Sequence, residues 1–441
     1  MVYRTCVAPA GFEISLALNY FFDEANGLWF VDDIEHCLAH FMFRKSGVAV
    51  CLTCIAQCFA QKVSVGGLLL SGQPIRFWFM TNIRAEVCLP SKDLRADIGF
   101  FTKVLGMRMD MIYPADDPSV AVFSGHGLAV RLDAGQKTAF GHLNIRSDDP
   151  DGFANGARAL TSPGGTQVEI TELNPPLVMP QTAHSFVVRR LADQAPWVIG
   201  RAGMHYRDLI PDRLGGSIIA SHIRIPDGGP VPDMVHYHTV GFQLIFCYRG
   251  WVDLVYEDQG EPFRLHAGNC VIQPPEIRHR VLFASDNIEV IEIGVPAEHV
   301  TTIDHDMELP NGPANPTRDF SGQRFVHHKA DDAIWAPFRV PGYQSRDTTI
   351  AAHTDNVAGV HVIRAGDDAP DWTKHTTDIL FTFVMDGTMT LEGEGRDPYP
   401  LEPGDAFVIP PGMKTRYADP SPDLELLEVS LPAAFQTVIG A

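Results

Sequence analysis

The sequence is short of positive charge. It carries 34 Lys and Arg against 54 Asp and Glu in 441 residues, a formal net charge of −20. A sequence-independent nucleic-acid binder, or a protein held on an anionic membrane, needs a basic face, so both classes are disfavoured. Cysteine is scarce past residue 79, where only Cys88, Cys247 and Cys270 occur. Three scattered thiols make no disulfide framework and fit a reducing, cytoplasmic setting. The apolar run Ser46–Gln61 is charge-free for only 16 residues and contains Gln57 and Gln61, whereas a membrane-spanning helix needs about 20 apolar residues. The first fifteen residues include Arg4 and Glu13 and lack the apolar core of a signal peptide. What is present is ordinary for a globular chain: 45% hydrophobic and 20% charged residues. The 38 Gly and 33 Pro are frequent enough for a turn-rich, mainly β protein.

Residues 1–79 differ in texture. They hold five of the eight cysteines, Cys6, Cys37, Cys51, Cys54 and Cys58, and show no sustained period of 2 or 3.6. The cluster Cys51-x-x-Cys54-x-x-x-Cys58 has no matching second set of ligands, so a metal role is disfavoured. Met80 opens a stretch that reads as a domain start. We expect residues 1–79 to be an N-terminal extension that is not part of the native protein, with Met80 as initiator; native peptides from before Met80 in a mass spectrum would refute this.

Residues 80–175 read as a small α+β module. Ile83–Leu89 has strand character, Lys92–Leu105 has helical spacing, and Met107–Ile112, Val120–Phe123 and Leu128–Leu132 read as strands. Ser91 is placed as an N-cap and Gly106 as a C-cap glycine. This βαβββ order, with Asp93-Leu94 and Phe100-Phe101-Thr-Lys-Val-Leu105-Gly106-Met107, resembles the vicinal oxygen chelate (glyoxalase/bleomycin-resistance) superfamily. The resemblance implies a first-strand metal ligand at Glu86 and a fourth-strand ligand near Arg131 or Asp133, and Arg131 cannot ligate a cation. A shortened second copy is read over 141–175, from Leu143–Arg146 and the run Pro163 to Glu172, without a good second ligand set. The module is expected to serve packing or dimerisation, with substrate shaping and a metal site as the alternatives.

Residues 180–441 contain an internal repeat. His236, His238 and Gly250 recur as Thr373, His375 and Gly387 at an offset of 137; Gly268, Pro274, His279, Glu292 and Pro296 recur as Gly404, Pro410, Thr415, Glu428 and Pro432 at an offset of 136. A fixed period over eight landmarks signals two copies of one domain, expected over 180–310 and 320–441. Each copy is rich in short β-branched and aromatic runs with Gly, Pro and Asp breaks, which reads as a sandwich or jelly roll.

The first copy carries the chemistry. His236 and His238 are two apart, so on a strand they share a face. Gln243, five beyond His238, would face the other way on a regular strand, and Gly241 permits a bend or bulge that restores the direction. His279 follows a Pro-Pro turn. Three imidazoles suit Fe, Cu, Ni or Zn. The runs His236-Tyr-His238-Thr-Val-Gly-Phe-Gln243…Gly250 and Gly268…Pro274-Pro275-Glu276-Ile-Arg278-His279 resemble the two motifs of the cupin superfamily, and the tandem copies imply a bicupin. The resemblance implies a metal held by His236, His238 and His279, with Gln243 where the family has Glu. Gln243 is expected to ligate weakly or to tune a bound ligand, and Tyr237 to act, if at all, from just behind the ligands. Three neutral histidines leave a divalent ion its full charge, which favours an anionic substrate.

In the second copy Thr373, His375, Leu380 and Thr415 stand at the matching positions, a set too poor to hold a transition metal, so a structural partner barrel is expected. His375 and Asp378 could still serve a ligand at its mouth. Arg278 and Arg280 flank His279 and point away from it. The leading expectation is an Fe(II)-dependent dioxygenase of a small anionic or enolisable substrate. A redox-neutral isomerase, lyase or hydrolase using Zn, Mn or Ni is the second, and a non-catalytic metal- or ligand-binding bicupin the third. The expected partners are a small-molecule substrate and a second copy in a homodimer, with neither nucleic acid nor membrane.

Overall fold

The computed structural model describes residues 83–440, apart from residues 105, 126, 138–141, 153–155, 162–166, 194–196 and 367–368. Before residue 83 only the backbone of a few short paired strands is described, so the expectations for residues 1–79 lie outside the described residues. The chain divides into two compact units, Met1–Met80 and Thr81–Ala441. The second is mainly β and builds two tandem jelly-roll barrels behind a βαβββ module.

The module begins with the strand Ile83–Pro90, the helix Leu94–Gly99 and a wider turn Phe100–Val104, then the strands Arg108–Tyr113, Val120–Gly125 and Leu128–Asp133. The helix starts later than expected because Asp93, not Ser91, caps it: Asp93 Oδ1 accepts from the Ala96 N–H at 3.0 Å. Ser91 donates instead to Asp97. Gly106, at φ +63°, ends the element as expected. Leu94, Met107, Ala121, Phe123, Val130 and Leu132 form the module's core. Strands Ile83–Pro90 and Leu128–Asp133 pair in parallel. His142–Ser147 and Gln167–Glu172 repeat that parallel pairing, with the short strand Ala159–Thr161 antiparallel beside the latter. His142–Ser147 also pairs with Ile83–Pro90, so these strands make one sheet.

The two barrels share one plan. In the first, a sheet runs through His205–Asp208, Ile219–Ile225, Ile288–Val295, Phe242–Arg249 and Cys270–Ile272. In the second, Tyr343–Asp347, Gly359–Ala365, Glu425–Leu431, Ile379–Asp386 and Ala406–Val408 run in the same order. The barrels exchange edge strands. Val187–Arg189, which precedes the first barrel, pairs with Ala406–Val408 of the second, and His327–His328, which precedes the second, pairs with Cys270–Ile272 of the first.

Phe242–Arg249 shows why its sequence is apolar without alternation. Phe242, Leu244, Phe246 and Tyr248 join Val360, Phe381 and Phe383 in a core between the barrels, while Cys247 joins the first barrel's interior cluster. A strand covered on both faces has no polar side to display. Cys88, Cys247 and Cys270 are buried free thiols, and burial pushes Cys247 and Cys270 up to about 12, so they stay protonated and inert. Among the described residues no helix is long and apolar enough to cross a membrane.

Candidate metal centre

The opposite sheet of the first barrel positions the histidines. His236–Thr239 pairs with His279–Ala284 on one side, with His236 opposite His279, and with Val300–Ile303 on the other, with His238 opposite Thr301. Strand alternation turns His236 and His238 inward, and the cross-strand pair brings His279 beside them. Ring centroids lie 4.2 Å (His236–His279) and 5.2 Å (both other pairs) apart. Among the described residues these three form the one group of three or more His, Cys, Asp or Glu side chains placed to share an ion, with ligand atoms within 4.8 Å of one another.

Their hydrogen bonds fix which nitrogen is free. His236 Nδ1 lies 2.8 Å from the Met234 carbonyl and His279 Nδ1 lies 2.9 Å from the Ile277 carbonyl. A carbonyl only accepts, so both Nδ1 atoms carry the proton and both Nε2 atoms keep a lone pair. His238 Nδ1 is engaged by Thr301 Oγ1 at 2.9 Å. All three residues are buried. Burial, reinforced by the neighbouring guanidinium and imidazoles, holds His236 and His238 well below the usual imidazole range; burial brings His279 to about 4. Three neutral, oriented imidazoles are what a divalent transition ion requires.

A cavity of about 80 Å³ adjoins them, with Arg201, Tyr206, Tyr256 and Glu292 among its polar walls and Ile223, Val252 and Leu254 among its apolar ones. Arg201 Nη2 donates to the lone pair of His236 Nε2 at 3.0 Å, so an ion on Nε2 takes the place of this hydrogen bond. Its other branch pairs with Asp233. Burial would raise Asp233, but the Arg201 charge overrides it and holds the carboxyl at about 2. Glu292 is half-buried on the wall of the same cavity, and desolvation raises its carboxyl against the pull of Gln243 and Arg201.

The structure brings His236, His238 and His279 together. Gln243 Nε2 donates to Glu292 Oε1 at 2.6 Å, and Gln243 Oε1 is buried with no hydrogen-bond partner. The expected bulge at Gly241 is a corner: the chain leaves the histidine sheet after Thr239 and enters the facing sheet at Phe242, with the Gly241 N–H on the Val295 carbonyl. Tyr237 sits on the outer face, with the Arg278 guanidinium 4.1 Å from its ring centroid. Arg278 pairs with Asp304 at 3.2 Å.

Sequence reasoning missed Arg201, Asp233, Glu292 and Thr301. Glu292 was visible as a repeat landmark with Glu428. Arg201 comes from the segment before the barrel and had no spacing to announce it. In the second barrel the matching interior is filled differently. Arg339 pairs with Glu428 and donates to Thr437 at 3.1 Å, and His375 Nε2 donates to the Ile409 carbonyl at 3.1 Å. Asp378 is taken by His184 at 2.6 Å.

In the module, Glu86 is buried and lies 3.5 Å from Arg146. Arg131 and Asp133 line a separate polar cleft with Cys88, Asn144 and Glu169.

Residues 359–429 match the cupin domain family. No curated protein matches the chain in sequence. Among solved structures the chain is similar to a variant of oxalate decarboxylase from Bacillus subtilis, with 12% identity over 59% of this chain and 81% of that chain and a TM-score of 0.43. It is also similar to the formate complex of oxalate decarboxylase from Lactobacillus farciminis, with 11% identity over 59% of this chain and 91% of that chain and a TM-score of 0.44. The matched residues 359–429 lie in the second barrel, and the first barrel, which holds the three-histidine group, repeats their strand order.

Proposed function

We propose that the first barrel is the active site of a metal-dependent enzyme, an Fe(II) dioxygenase of a small anionic or enolisable substrate. One observation carries this reading: three neutral imidazoles converge on a largely apolar cavity beside a guanidinium. A divalent ion there supplies Lewis acidity and, as Fe(II), electrons for O2. His236, His238 and His279 hold it. Arg201 and Asp233 cancel in charge and the imidazoles are neutral, so an ion and an ionised Glu292 leave the cavity net positive by about one charge, which an anionic substrate neutralises. Arg201 orients that anion. Glu292 holds or moves a proton at Oε1 or Oε2, and Gln243 acts through it as a positioning residue. Ile223, Val252 and Leu254 exclude water.

Glu292 favours a second reading. A partly desolvated carboxyl with a raised pKa is suited to proton transfer, which a redox-neutral isomerase or lyase using Zn or Mn would need. For the module we propose a chelate-type architecture without its metal site, since Glu86 is paired with Arg146 and the fourth-strand position falls near Arg131 or Asp133 with no second ligand set.

The test is elemental analysis of the full chain, prepared without chelator or a nickel column, beside the double variant His236→Ala, His238→Ala. One equivalent of iron, lost in the variant, followed by substrate-dependent O2 uptake in an electrode screen, is the expected result. One equivalent of zinc or manganese with anaerobic turnover would replace the dioxygenase reading with the second. Metal-free protein in both preparations would leave a non-catalytic ligand binder.

A further inference from the structure

The duplication provides an internal control. In the second barrel the strand Thr437–Ile439 pairs with Thr373–His375. Its outer edge is unpaired among the described residues, with Val438 and Ile439 42% and 53% exposed. In the first barrel the equivalent strand, Val300–Ile303, is covered. Met111 and Ile112 of the module pair with Thr302 and Thr301, so the module's sheet and the histidine sheet are continuous. The covered strand is the one whose Thr301 holds His238.

The contact continues beyond the strand. After Tyr113 the module's chain turns over the cavity mouth, and Ala115 is one of the cavity's walls. Asp116 pairs with Arg213 at 2.7 Å. Its backbone packs on the segment that carries Arg201: a Cβ added at Gly200 would lie 3.0 Å from the Asp116 carbonyl oxygen. Tyr113 bonds Glu298, and His305 Nε2 donates to the Met109 carbonyl at 2.8 Å. These anchors fix the turn from both sides, so it is held as a wall.

We propose that the N-terminal module completes the metal cavity, and that Ala115 sets the size of the anion that reaches the three-histidine centre. The inference rests on the metal-site reading above. A methyl side chain at this position leaves room that a larger one would fill, and the cavity is small enough for one ring to matter. Neighbouring Asp116 keeps the turn in place through Arg213, so it acts as a positioning residue.

The test uses the full chain loaded with Co(II), whose visible bands report its coordination. Azide and benzoate are titrated as a small and a large anion. In Ala115→Phe we expect one bound Co(II) with an unchanged spectrum, azide affinity within about twofold of the parent, and benzoate affinity at least tenfold weaker. Ala115→Val, a smaller step, should move benzoate in the same direction and keeps the test open if the Phe variant does not fold. Asp116→Asn should narrow the difference between the two anions. Unchanged benzoate binding in both Ala115 variants, with Co(II) bound, overturns the inference and leaves the metal reading standing. Failure of the parent to take up Co(II) overturns the metal reading and this inference with it.

Discussion

Gln243→Glu puts a second carboxyl against the first. Gln243 Nε2 is 2.6 Å from Glu292 Oε1; Gln243 is buried and Glu292 half-buried. The variant loses a hydrogen bond to a charged group, of the order of 1.5–3 kcal/mol. Two carboxylates at that distance cannot both ionise, so one holds a proton and its pKa rises. The unfolded chain ionises the added Glu near its ordinary pKa of about 4.3. While the folded group keeps its proton, folding the variant becomes dearer by about 1.36 kcal/mol for each pH unit above the unfolded pKa. The loss attributable to the proton is then about 1 kcal/mol at pH 5 and about 3.7 kcal/mol at pH 7. The sign follows from the raised pKa: this contribution is intact below the unfolded pKa and is lost as pH rises. Calorimetry of the metal-free parent and variant at the two pH values measures the difference. At about 2–4 °C per kcal/mol, the gap in Tm should widen by roughly 5–10 °C between pH 5 and pH 7. A variant as stable as the parent at pH 7, and holding its metal more firmly against a chelator, would refute the reasoning and make residue 243 a ligand position.

Further outcomes test other parts of the structure. Thr301→Val removes the partner of His238 Nδ1 and should weaken metal affinity about 10–100-fold, read by competition with a chromophoric chelator, while His279→Ala should abolish stoichiometric binding. Added metal should raise the parent's Tm in a concentration-dependent way, and His279→Ala should lose that response. His375 is buried and held at about 4 by burial. It stays neutral in the fold while the unfolded chain protonates below about 6.5, so its contribution is intact above that pH and lost on acidification, by about 2–3 kcal/mol at pH 4.5. His375→Gln should flatten the fall in Tm between pH 6.5 and 4.5, and an unchanged slope would contradict this. Phe381→Ala, in the core between the barrels, should cost about 3–5 kcal/mol by calorimetry without changing metal content.

Much of this molecule was legible because its signals are local. The repeat at offsets of 137 and 136, the strand runs and the βαβββ order depend on residues close in sequence, and the structure places strands where those runs lie. His236, His238 and His279 could be grouped because strand alternation and one Pro-Pro turn fix their directions. Gln243 is harder to place for a physical reason: Gly241 permits a bend or bulge, and only the assembled barrel shows it to be the corner between two sheets. Once the chain changes sheet, counting residues no longer predicts direction. Arg201, Glu292 and Thr301 meet the histidines only through strand pairing across tens of residues, and no local period encodes that. The exchange of Val187–Arg189 and His327–His328 between barrels, and the joining of the module's sheet to Val300–Ile303, belong to the same class. The sequence alone determined which residues are strands, how often the unit repeats and which imidazoles face inward, since those follow from backbone geometry over a few residues. Which charges surround the imidazoles, and which distant segment walls their cavity, was decided by tertiary structure, because burial and strand pairing are properties of the assembled sheets.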